Sequence, residues 1–148
     1  METNRLTRPR VWALVALAAG LALAGCKDEI KELSKAKRLL ARQHMHWNNV
    51  RESLKTDEPN LESIRVVGML LTGRTKRRVK KEYRGADKAE IMQRLDALSA
   101  AYQERVISKV HVTTPKVVLR RGVTVAQLRE AFNSLDEDYR ALEAMTDW

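Results

Sequence analysis

Two histidines and a methionine stand together at His44, Met45 and His46, and such side chains suit soft or borderline metal ions such as copper and zinc. The remaining histidine, His111, lies far along the sequence. Residues two apart on a helix point to different faces, so the adjacent pair does not converge on one ion. Trp47 next to them belongs to an apolar stripe. The sequence therefore predicts a helix surface here and no metal site.

Nucleophilic catalysis needs a serine or cysteine oriented by a specific base, and no such arrangement is recognisable in the sequence. The acidic run Asp136-Glu137-Asp138 flanks an apolar helical stripe, and we expect its carboxylates to be solvated. The sequence contains no pattern typical of an enzyme and indicates no cofactor. A catalytic site whose residues come together only in the folded chain remains an alternative.

A pair of glycines spaced for phosphate binding occurs in Gly68–Thr75, which reads GMLLTGRT. The pattern resembles the nucleotide-binding P-loop, G-x4-G-K-[ST], with Arg74 in the lysine position. The resemblance implies a loop after a strand, with Arg74 near phosphates and Thr75 near Mg²⁺. Arginine is a bulkier fork than lysine, and the flanking sequence lacks alternating βαβ units. A nucleotide- or metal-dependent enzyme is therefore only an alternative.

Seven basic residues lie within eleven positions, opposed only by Glu82. They are called the basic block here and comprise Arg74, Lys76, Arg77, Arg78, Lys80, Lys81 and Arg84. On a helix these cations divide between two faces, which is not typical of an amphipathic membrane helix. Such runs are often solvated surface. The alternative is that the block binds anionic lipid, lipopolysaccharide phosphate or an acidic partner.

The first 25 residues have the three zones of a secretory signal peptide. Arg5, Arg8 and Arg10 precede an uncharged, Ala/Leu/Val-rich run over residues 11–24. Fourteen residues of helix reach about 21 Å, which is short of the roughly 30 Å hydrocarbon core. A cleaved signal peptide over residues 1–25 is therefore favoured over a membrane-spanning helix.

Leu23-Ala24-Gly25-Cys26 resembles the lipobox of bacterial lipoproteins. The resemblance implies cleavage between Gly25 and Cys26, and acylation of Cys26 by a diacylglyceryl group and fatty acids such as palmitate. It also implies that a mature chain over residues 26–148 is anchored by lipid to the cell envelope. Lys27 after the cysteine favours the periplasm-facing side of the outer membrane over the inner membrane.

The 148 residues carry a net charge of +9 and suit a single domain. One cysteine excludes a disulfide framework within the chain. The charge is unevenly distributed, with +2 in the signal peptide, +6 over residues 74–84 and +1 in the rest. The mature chain is thus nearly neutral outside the basic block, and with few aromatic side chains interleaved there we expect no nucleic-acid partner.

Apolar stripes with a spacing of three and four residues predict three helices. The first spans roughly residues 28–56, and the second starts with a capping box of Asp87 and Glu90. The third starts with a capping box of Thr124 and Gln127. The stripes are Leu33, Ala36, Leu40, Gln43, Trp47, Val50 and Leu54; Ile91, Leu95, Leu98, Tyr102 and Val106; and Val125, Leu128, Phe132, Leu135, Tyr139 and Leu142. We expect them to form a core, and association between copies of the chain stays open.

Two further segments are ambiguous. Residues 63–71 (SIRVVGMLL) fit either a buried helix or a strand. Residues 110–119 (VHVTTPKVVL) are rich in β-formers, but Pro115 interrupts them, which favours an edge strand or an extended connector. The predicted fold class is mainly α, a small bundle of three to four helices with a minor β element.

These features together predict a lipid-anchored envelope protein that acts by binding. The expected role is an accessory, assembly or structural factor of an envelope complex, with a protein partner in the envelope. An immunity-type lipoprotein that captures a toxin is the alternative among binding proteins.

Overall fold

The computed structural model describes the backbone of residues 10–146 and the side chains of residues 31–146. The helices in this part are α1 (Arg10–Ser53), α2 (Leu61–Met69), α3 (Thr75–Glu82), α4 (Lys88–Arg105) and α5 (Val125–Ala144). The strands are β1 (Val110–Thr113) and β2 (Lys116–Leu119). A π-helical turn (Leu70–Arg74) joins α2 to α3, and a 3-10 turn (Ile107–Lys109) precedes β1. The predicted mainly α bundle with a minor β element is confirmed.

The predicted cleavage and lipidation positions, Gly25 and Cys26, lie outside the residues whose side chains are described. The signal peptide and the lipid anchor therefore stay predictions. From Lys31 onward, the structure shows how α1 is held by the rest of the chain.

The three predicted apolar stripes meet in one core. Trp47 lies at its centre and is fully buried, with its ring centroid 4.6 Å from Phe132 and 5.7 Å from Tyr102. Aromatic pairs at such distances contribute about 0.5–1.5 kcal/mol beyond the burial of their area. The stripes are thus buried within a single copy of the chain, apart from the half-buried Leu33 and Val125 at two of their ends.

The ambiguous segment 63–71 is helical. Asn60 begins α2 as its N-cap, because its side-chain oxygen accepts a hydrogen bond from the backbone N–H of Glu62 at 3.1 Å. Ile64 and Val67 are buried in the core. Burial outweighs the slightly lower helix propensity of β-branched side chains, which is why propensity alone left the choice open.

Helix α3 runs antiparallel to α1. At its start, the Thr75 hydroxyl donates to Oε1 of Gln43 at 3.2 Å. Just beyond its end, the backbone N–H of Arg84 donates to Oε2 of Glu32 at 2.9 Å. The basic block therefore lies alongside α1. Its C-terminal end is next to the first residues of α1 whose side chains are described.

The β-rich segment forms an antiparallel hairpin in which Val110 pairs with Leu119 and Thr113 pairs with Lys116. Pro115 lies in the turn between the two strands. It therefore ends one strand and does not interrupt a longer one. Within residues 10–146 the sheet has two strands, so each strand has an open edge, as the edge-strand prediction required.

The two predicted capping boxes have different outcomes. At α5 the box is confirmed, since the Gln127 N–H donates to Thr124 Oγ1 at 3.2 Å and the Thr124 N–H donates to Gln127 Oε1 at 3.0 Å. At α4 the prediction is wrong, because the Asp87 side chain makes no cap hydrogen bond. The Asp87 carboxylate instead accepts a hydrogen bond from the hydroxyl of Tyr83.

Candidate binding surface

Helix α3 presents the basic block on the side opposite to its buried stripe. Thr75, Val79 and Tyr83, spaced four residues apart, are 3%, 1% and 1% exposed. At roughly 100° per residue, Arg77 and Lys81 lie about 160° around the helix from Val79, and both are exposed. These two cations therefore point away from the core, between the two groups of basic residues that the sequence places on either side of the helix.

Two members of the basic block are neutralised by carboxylates. Lys76 forms an ion pair with Asp96 of α4, and Arg78 pairs with Glu82 one turn along α3 at 3.4 Å. Both pairs lie on the flanks of α3 and are partly exposed to solvent, where such pairs contribute little to stability. They do, however, remove two charges from the block.

The other five cations have no carboxylate within ion-pair distance in the described part of the chain. We call them the α3 cation face: Arg74, Arg77, Lys80, Lys81 and Arg84. Two of them also bind backbone oxygens of their own segment, Arg77 to the Gly73 carbonyl at 3.3 Å and Arg84 to the Tyr83 carbonyl at 3.1 Å. Carbonyl contacts leave the charges uncompensated, so all five remain available to an external anion.

The end of α3 is fixed by Tyr83, whose ring is buried and whose hydroxyl donates to Asp87. Burial, and then the contact with Asp87, raise the pKa of Tyr83, so the phenol stays neutral and keeps its proton for this bond. A Cβ at Gly85 would overlap the Tyr83 hydroxyl, so only glycine fits there. The α3 cation face is therefore held on a rigid support.

The loop that the P-loop resemblance implies does not form. Gly68 lies in α2 and Gly73 in the π-helical turn, so the segment is helical throughout. The Thr75 hydroxyl faces the core and donates to Gln43, and Arg74 is exposed. Packing explains Gly68, since a Cβ there would lie 3.1 Å from the terminal methyl group of Ile107.

His44 joins α1 to the end of α5. Its Nδ1 lies 2.7 Å from the Tyr139 hydroxyl, and its Nε2 lies 3.0 Å from Oγ1 of Thr146. The Thr146 hydroxyl also donates to the Glu143 carbonyl at 3.1 Å, so both ring nitrogens of His44 lie within hydrogen-bond distance of a side-chain hydroxyl that belongs to this end of the chain. The surface prediction is therefore right for Met45, which is 53% exposed, and wrong for half-buried His44.

Asp136 is half-buried and hydrogen-bonded, so the prediction that it is solvated is wrong. Its carboxylate accepts hydrogen bonds from Trp47 Nε1 at 2.8 Å, Arg51 Nη2 at 2.7 Å and Arg140 Nε at 3.1 Å. Burial would raise its pKa, but the hydrogen bonds from Arg51 and Trp47 and the charge of Arg51 lower the pKa below its ordinary value. The neighbours Glu137 and Asp138 are exposed, as expected.

Within the described side chains, no three His, Cys, Asp or Glu residues are arranged to hold a metal ion. In the same part of the chain, no helix is both long enough and apolar enough to cross a membrane. No family model, curated protein or solved structure matches the chain. Function must therefore be inferred from the α3 cation face and from its position in the fold.

Proposed function

We propose that the protein is a lipid-anchored component of a bacterial cell envelope that acts by binding, as an accessory, assembly or structural factor. The observation that carries the proposal is the α3 cation face, whose five charges have no carboxylate partner in the described structure although 17 acidic residues lie outside the signal peptide and the block. An exposed cluster of like charge on a rigid helix is suited to an anionic surface or partner.

The position of this surface relative to the lipobox adds support. Arg84 is hydrogen-bonded to Glu32, which follows Cys26 by six residues. An acylated Cys26 would therefore keep the end of α3 close to the membrane. The nucleotide-dependent alternative is less well supported, since the segment Gly68–Thr75 is helical and forms no phosphate-binding loop.

Metabolic labelling with a palmitate analogue tests the anchor. We expect the protein to be labelled and to fractionate with membranes, and Cys26→Ser to abolish both. Undiminished labelling of Cys26→Ser would overturn the anchoring proposal.

Photo-crosslinking in intact cells tests binding through α3. A photoreactive amino acid replaces Lys81, and a matched one replaces Lys116 on the hairpin, which is also exposed and basic. We expect adducts, with lipid or protein, that are specific to position 81. Equal adducts at both positions, or none at position 81, would contradict binding through α3.

A further inference from the structure

We propose that the α3 cation face lies flat on anionic phospholipid headgroups of the membrane that the lipid on Cys26 enters. This inference rests on the proposed lipid anchor. It assigns the anionic ligand and fixes which side of the domain faces the bilayer.

The short segment between Cys26 and Glu32 limits how far the α3 cation face can lie from the membrane. Glu32 follows Cys26 by six positions, and even a fully extended segment of that length spans at most about 22 Å. The backbone N–H of Arg84 is hydrogen-bonded to Glu32. The end of the α3 cation face at Arg84 therefore cannot lie much farther from the membrane than this distance. The tether alone therefore keeps the face at a high local concentration of headgroups.

The orientation of α3 decides how many of its cations come close to the headgroups. The far end of α3 lies beside Gln43, eleven residues along α1 from Glu32, which is about 16 Å of helix. The Debye length at physiological salt is about 8 Å. At about 1.5 Å per residue, an upright domain with Arg84 at the headgroups would bring Lys80 and Lys81 within this range and leave Arg74 and Arg77 outside it. A domain lying on α3 brings all five cations within range.

The composition of the α3 cation face indicates the kind of partner that it binds. Protein interfaces depend on apolar and aromatic anchor residues at their centre. On α3 those side chains, Val79 and Tyr83, are buried in the core. The large hydrophobic side chains that are exposed in the described structure lie outside α3 and are Met45, Met69, Val112 and Val118. A face that offers charge without an apolar centre fits phospholipid headgroups better than a folded protein.

The test uses the full lipidated protein in vesicles of phosphatidylcholine, with and without phosphatidylglycerol. Since the only natural cysteine carries the lipid, Lys80→Cys introduces a single free thiol for a fluorescent probe. Lipids with a nitroxide on the headgroup quench the probe when it lies at the surface. We expect strong quenching that requires phosphatidylglycerol and is lost in high salt.

Charge neutralisation makes the test specific. Each cation at an anionic surface strengthens binding about fivefold, so replacing Arg74, Arg77 and Lys81 by Gln weakens docking about 100-fold. The quenching of the probe at position 80 should then fall to the level measured on vesicles without phosphatidylglycerol. The matched control replaces the basic residues around the hairpin, Lys109, Lys116 and Arg121, by Gln and should leave quenching unchanged. Thermal melts check that both variants fold.

The outcomes separate the inference from the proposed function. Protein that does not float with phosphatidylcholine vesicles is not lipidated, and both proposals fail. Protein that floats but shows no quenching specific to phosphatidylglycerol keeps its anchor and overturns the docking inference. Equal loss of quenching in both triple variants would show a general charge effect and would also overturn it.

Discussion

The indole of Trp47 lies flat against the phenol ring of Tyr139, with ring centroids 3.9 Å apart and ring planes within 2° of parallel. The polar atoms of the two rings have different partners, since Trp47 donates to Asp136 and the Tyr139 hydroxyl bonds to His44. The stack therefore joins α1 to α5 through both an apolar and a polar contact. The stability of the fold should depend strongly on this region.

Replacing Asp136 by Ala should lower the free energy of unfolding by about 2–3 kcal/mol, because it leaves the Trp47 N–H without its acceptor and takes from Arg51 its nearest carboxylate, so that Glu143 remains at 3.5 Å. Urea denaturation measures the change. Asp138→Ala on the exposed side of α5 is the matched control and should stay within about 0.5 kcal/mol of the native chain. Equal effects of the two substitutions would contradict the assigned role of Asp136.

Asp136 should also make stability depend on acid pH. Its pKa is lowered in the folded state, so its contribution is fully present above the unfolded value of about 3.9 and is lost as pH falls through the lower folded value. The difference in free energy of unfolding between the native chain and Asp136→Asn should therefore shrink on acidification. A difference that grows as pH falls would contradict a lowered pKa of Asp136 in the folded state.

The three tyrosines should resist ionisation in the folded protein. Burial raises the pKa of Tyr83, Tyr102 and Tyr139. In an absorbance titration, phenolate should appear only together with the loss of helical circular dichroism. Stability should fall as pH rises above about 10, because the unfolded chain then releases protons that the folded chain retains. Phenolate formation before unfolding would contradict this.

Gln43 and Thr75 should show a compensating pair of substitutions. Gln43 is fully buried, and its Nε2 has no hydrogen-bond partner among the described residues. Thr75→Val should lower the free energy of unfolding by about 1–2 kcal/mol, because it leaves the side-chain amide oxygen of Gln43, Oε1, without a hydrogen bond as well. Adding Gln43→Leu removes both unpaired atoms, so the double variant should be at least as stable as Thr75→Val. Additive losses in a double-mutant cycle would refute the coupling.

The two glycines of the helical GMLLTGRT segment should differ in tolerance. Gly68→Val should cost about 1–3 kcal/mol, since even a Cβ there would lie 3.1 Å from Ile107 and 3.3 Å from Gln103. Gly73→Ala should be neutral or stabilising, because its Cβ would make an ordinary 3.5 Å contact with Arg77. Thermal unfolding of the two variants measures the difference. Similar losses at both positions would contradict the explanation that close packing restricts Gly68 alone.

The sequence by itself determined the three apolar stripes, the capping box of Thr124 and the mainly α class. These features follow from contacts within one or two helical turns, and period and local capping encode such contacts. It also located the basic block. Its N-terminal signal supports a prediction of lipidation at Cys26 that the described residues leave untested.

Only the tertiary structure decided which charged side chains form ion pairs and which have no oppositely charged partner among the described residues. Asp96 on α4 neutralises Lys76, and Arg51 on α1 holds Asp136 on α5, and both pairs join different helices. Tertiary burial likewise made residues 63–71 a helix. A local pattern cannot report partners that lie 20 to 85 positions away, because only the packing of helices brings them within a few ångströms.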